Sequence, residues 1–129
     1  MKKIVTLLLI ILLLTLCSCG GKPTKMSEGM YQIGLNALDV ADQYINGKLT
    51  GNRAYDRLED LYEQAKEEEK YNREKLGVAT LVGTEYAHDT FVTSDILILQ
   101  LVIGRVDYGS ATLSDVIEAR DELADTLGQ

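Results

Sequence analysis

The chain has 129 residues, enough for one domain and too few for two comfortable ones. Thirteen basic residues face twenty acidic ones; setting aside Lys2 and Lys3 at the extreme N-terminus, the balance is eleven against twenty, a charge of −9. That sign argues against a nucleic-acid binder, which needs a basic footprint, and against direct adsorption to anionic lipid. One proline and no tryptophan suit a compact helical domain with a hydrated acidic surface.

The chain opens with the basic tripeptide MKK and a thirteen-residue apolar run, Ile4 to Leu16, interrupted only by Thr6 and Thr15. Small residues follow at once. This order of charged, apolar and small regions is the layout of a secretory signal, and the run is shorter than the roughly 18 apolar residues of a membrane span. A retained span is the alternative. Both cysteines of the chain, Cys17 and Cys19, close the segment one residue apart. As a metal clip they supply half of a four-ligand zinc site, with the sole histidine far away at position 88. As a redox pair they lack a folded scaffold.

Leu16-Cys17-Ser18-Cys19 resembles the lipobox of bacterial lipoproteins: an aliphatic residue, a tolerant position, a small residue, then the modified cysteine. Cys17 at the tolerant position is less usual than Ser or Ala. The resemblance covers about the first 20 residues and implies a diacylglyceryl group on the Cys19 thiol and cleavage between Ser18 and Cys19. Residues 1–18 would leave as the signal peptide, and Cys17 with them. A mature protein carrying more than one acyl chain on Cys19 would be stably anchored on the extracytoplasmic side of the cell membrane. Residues 19–27 read as a lipidated tether, since Gly20, Gly21 and Pro23 resist helix, with a flexible span of about 16 Å.

Residues 28–129 read as an all-α domain, a small bundle of about four helices built from two αα-hairpins. From Met30, apolar residues recur at Ile33, Ala37, Leu38, Ala41, Tyr44 and Ile45, one face of a helix capped by Ser27. NGKLTGN, residues 46–52, breaks the pattern as a turn. Thr50 caps the next helix, with Leu49 and Ala54 in hydrophobic-staple positions. That helix presents Ala54, Leu58, Leu61, Tyr62 and Ala65 on one side and mostly charged residues on the other.

Residues 75–94 have two glycines, four threonines and mixed spacing, and the sequence predicts an irregular connection there. Long connections of this kind are often functional. DILILQLVI, from Asp95, is apolar nearly all round; periodicity alone leaves strand or buried helix open, and the hairpin plan favours helix. A final helix carries Leu113, Val116, Ile117, Leu123, Ala124 and Leu127 as its stripe, with Thr112 and Asp115 at capping-box spacing. The segments GKLTGNRA and GRVDYGSA, 57 residues apart, suggest that the αα-hairpin is repeated.

Few residues offer chemistry. Glu85, His88 and Asp89 would bring carboxylate and imidazole to one face if helical, the basis for an alternative reading as a small metal-dependent or ligand-binding protein. One histidine among so many acids is weak grounds for a metal site, and no metal or cofactor is expected. The acidic run around Glu67 to Glu69 alternates with lysine and arginine as a solvated helix face does. No zinc-protease motif, P-loop or nucleophile elbow is present, so an enzyme is not expected. Tyr44 and Tyr62 fit the core stripe. Tyr55 and Tyr108 lie at the turns and are the candidate contact residues, since interfaces are rich in tyrosine. The expected function is a membrane-anchored interaction module that binds a protein or peptide partner at the cell envelope.

Overall fold

A computed structural model describes residues 21–129 as four α-helices and no strands. They are α1 (Glu28–Ile45), α2 (Gly51–Leu76), α3 (Asp89–Val106) and α4 (Leu113–Thr126). Each packs on the next in chain order and α4 returns to α1; α1 also reaches α3 across the centre, while α2 and α4 do not touch. This is an all-α bundle of two antiparallel hairpins.

Local chemistry sets the helix ends. Ser27 Oγ accepts from the Met30 N–H, Thr50 Oγ1 from the Arg53 N–H, and Thr112 and Asp115 form a reciprocal capping box. The other ends share one device. Gly47 stands at φ +71° past α1, with its N–H on the Tyr44 carbonyl and the Lys48 N–H on that of Gln43. Gly109 past α3 (φ +68°) repeats the pattern on Val106 and Arg105, and α2 and α4 close the same way. These are Schellman motifs, which need a residue that tolerates the left-handed region.

The motif corrects the register of the repeat. Gly47 matches Gly109 rather than Gly104, which lies inside α3. In both hairpins the turning glycine is followed three residues later by the capping threonine, Thr50 or Thr112.

The core is aliphatic and fully closed at Met30, Leu58, Ile96, Leu99, Ile103, Val116, Leu123 and Leu127. Burying a side chain of this size contributes about 1.5–3 kcal/mol. α2 buries Ala54, Leu58, Leu61 and Ala65 as its spacing predicts. Of its predicted stripe α1 buries Met30, Ala37, Leu38 and Ala41 and leaves Ile33, Tyr44 and Ile45 half-buried at its edge, while Tyr31, Gly34 and Val40 are buried as well because three neighbours surround the helix. Two stripe assignments in α4 are corrected. Leu113 and Ile117 are 46% and 40% exposed, and Ala119 takes the inward position instead.

Two boundaries also differ from the sequence reading. Met26 and Ser27, read as the end of the tether, are buried, and the Lys25 carbonyl accepts from the His88 N–H. The irregular connection spans residues 77–88, not 75–94. α3 begins earlier because its first turn is tied to the rest of the fold through Asp89, while Thr93 and Ser94 return their hydroxyls to carbonyls one turn back.

The antiparallel order puts the two short turns, 46–50 and 107–112, at one end of the bundle. Residues 21–27, the 77–88 connection and the last residues of the chain gather at the other, where Gly21, Pro23, His88, Phe91 and Gly128 line one shallow depression.

Candidate functional site

At the two-turn end a cleft of about 680 Å³ opens between the start of α2 and the end of α3. Its geometry begins with two glycines. Gly51, the first residue of α2, leaves room for the Asp107 carboxylate, an oxygen of which lies 2.6 Å from where a Cβ would stand. The first turn of α2 has no acidic residue of its own, so Asp107 brings negative charge to its positive end. Gly104, in the last turn of α3, lets the Tyr55 ring pack against the helix backbone; a Cβ there would stand 3.1 Å from the ring.

Leu101, Arg105 and Tyr108 complete the cleft. Tyr108 is 86% exposed, and Arg105 forms no ion pair among the described residues. Tyr44 stands behind, where burial and the nearby Asp107 charge push its phenol above the ordinary value. The two tyrosines singled out from sequence therefore meet in one place, although 53 residues separate them. Aromatic faces, a guanidinium and a carboxylate around an apolar floor have the composition of a recognition surface. Asn52 also lines the cleft. Only its two tyrosines were anticipated: Gly51 and Asn52 read as turn residues, and Leu101 was hidden in a run apolar on every side.

Glu85, His88 and Asp89 do not form a shared face. Residues 85–88 lie in turns; Glu85 is exposed, and the His88 ring packs 5.8 Å from Phe91. The Asp89 carboxylate points inward and has no exposed surface. It accepts from the Ser27 N–H at 2.9 Å and from Asn72 Nδ2 at 3.0 Å. Asn72 Nδ2 also donates to Glu68 Oε1, to which Ser27 Oγ donates as well. Glu68 in turn fills the space left by Gly29. Burial holds the Asp89 carboxyl above its ordinary value, against the pull of its donors. Among the described residues no group of three or more His, Cys, Asp or Glu side chains could hold a metal ion. The legible sign of this network was Asn72, a polar residue seven positions past Ala65 on the apolar stripe of α2.

Cys17, Ser18 and Cys19 lie outside the described residues. Among the described residues no helix is long and apolar enough to cross a membrane. Comparison of the chain with family models, with curated proteins and with solved structures gave no match.

Proposed function

We propose that this protein is an extracytoplasmic lipoprotein, held at the cell membrane through Cys19, that acts as a non-catalytic interaction module and engages an envelope protein through the Tyr55–Tyr108 cleft. One observation carries the reading: the cleft and residue 21 lie at opposite ends of the bundle. An 18-residue helix such as α1 spans about 27 Å. A chain anchored at Cys19 would enter the fold at the membrane-facing end and present its tyrosines outward. Tyrosine suits that task, because it offers a large rigid contact surface and a hydroxyl that stays hydrated.

The test is in-cell crosslinking of the full-length protein with a photoreactive phenylalanine at position 55, at position 108 or, as a control, at the exposed position 67 of α2. One protein captured at both 55 and 108 and absent at 67 is the expected result; equal capture from all three positions would overturn the reading. Cys19→Ala is expected to leave the precursor unprocessed in size and to release the domain from membranes after processing is bypassed with a non-lipid signal. Unchanged size and membrane retention in Cys19→Ala would remove the anchor from the proposal.

A further inference from the structure

The Tyr55–Tyr108 cleft does not end at Arg105. The same side chain lines a second concavity, a groove of about 360 Å³ along the outer side of the α3–α4 hairpin. Ile98 and Val102 of α3 and Ala119 of α4 form its apolar surface, and Asp115, Glu118 and Glu122 form its α4 wall. Ile98 is 43% exposed there and Val102 is half-buried, while Ala119 closes the floor at 5%; Leu101, one turn along α3 in the tyrosine cleft, is also 43% exposed. A helix that is apolar all round is normally covered on every side, and α3 is covered only where α1, α2 and α4 meet it. Glu118 and Glu122 are solvent-exposed and form no ion pair among the described residues.

We infer that the α3–α4 groove is the second half of the docking surface and takes a positively charged amphipathic helix of the partner protein. This inference rests on the interaction-module reading and names the chemistry of the partner. Charge decides among the occupants. Three carboxylates against one guanidinium repel a second copy of this acidic chain and repel anionic lipid, and they attract lysine and arginine. Shape decides the rest. A groove between two helices with an apolar stripe of about 6 Å from Ile98 to Val102 accepts one face of a helix, its apolar side chains at three-and-four spacing against Ile98, Val102 and Ala119. Basic side chains on the flank of that helix reach Glu118 and Glu122. Continuity through Arg105 lets one partner occupy the groove and the tyrosine cleft together.

The probe is an amidated helical peptide with leucine on one face and lysine on the other, titrated into the described domain with its native N-terminal tether and followed by backbone amide NMR shifts. The comparison peptide carries glutamate in place of lysine. Shifts are expected to centre on residues 98–105 and 115–122, with the glutamate peptide producing none. Glu118→Lys/Glu122→Lys is expected to weaken binding about tenfold, and the charge-matched control Glu59→Lys/Glu67→Lys on α2 to change it less than twofold. Equal weakening by both double variants would mean attraction to net charge alone and would overturn the groove. So would shifts centred elsewhere, a concentration-dependent dimer seated on the groove, or adsorption of the protein to anionic vesicles through it.

The same double variants separate this inference from the reading beneath it. If crosslinking at 55 and 108 captures one partner and Glu118→Lys/Glu122→Lys leaves that capture intact, the groove is overturned and the module stands. If no partner is captured at 55 or 108 in the wild type, the module reading itself falls.

Discussion

Asp89 is the residue at which burial overrides the obvious chemistry. It sits next to the only histidine, yet its carboxylate is turned into the bundle between Ser27 and Asn72. Desolvation raises its folded pKa above 3.8, with the Glu68 charge adding to the rise, while the Ser27 and Asn72 donors pull the other way. The folded chain thus holds this proton more tightly than the unfolded chain. Stability contributed by the group rises as pH falls through the folded value toward 3.8, and is level below it. Asp95, desolvated beside its Thr126 donor, has the same sign. Urea unfolding of wild type and Asp89→Asn between neutral and mildly acid pH should show the wild type gaining on the variant as pH drops; a constant difference would sink the assignment. Asp89→Ala leaves the Ser27 N–H and the Asn72 amide without this acceptor and should cost about 2–4 kcal/mol. A loss under about 1 kcal/mol would mean that water replaces the carboxylate easily.

Glycine has two different jobs at the level of the helices. Gly47 and Gly109 turn the chain at positive φ with open space where a Cβ would stand. Alanine there should cost about 1 kcal/mol each, through backbone strain alone. Gly34, inside α1, has ordinary helical geometry and no room: a Cβ would stand 2.6 Å from Leu127 Cδ2 and 3.2 Å from Val92 Cγ1. Gly34→Ala improves helix propensity but overpacks the contact of α1 with α3 and α4, at an expected cost of about 1–3 kcal/mol. Urea midpoints decide between the effects. If Gly34→Ala proves neutral or stabilising, the α1 contact is looser than its geometry implies.

For the whole molecule, stability resides in the shared core and little in the polar links at its surface. Ile96 is completely buried on α3, the helix that packs against α1, α2 and α4, and Ile96→Ala should lose about 2–5 kcal/mol. Arg120 joins α4 to α1 through two bonds to Asp42, at 2.9 and 3.3 Å, but both side chains keep much of their exposure. Arg120→Ala should therefore lose less than about 1 kcal/mol, and less still in high salt. Thermal unfolding of the two variants gives the ranking; an Arg120 effect matching that of Ile96 would contradict it.

What the sequence by itself determined is local. Ser27, Thr50 and the Thr112–Asp115 pair end their helices through bonds to residues three positions away, so spacing alone made them legible. The α2 stripe was readable because that helix is apolar on one side only. The α3 run, apolar all round, could name no inward face; in α4 the apolar residues span a wider arc than the buried one, which put Leu113 and Ile117 inside when they stand outside. Only the tertiary structure decided that Tyr55 and Tyr108 share a cleft, that Asp89 is buried away from Glu85, and that the cleft lies at the end away from residue 21. The physical reason is that helical periodicity says which residues share a face, whereas antiparallel packing decides which faces meet and which residues, far apart in the chain, arrive at the same end.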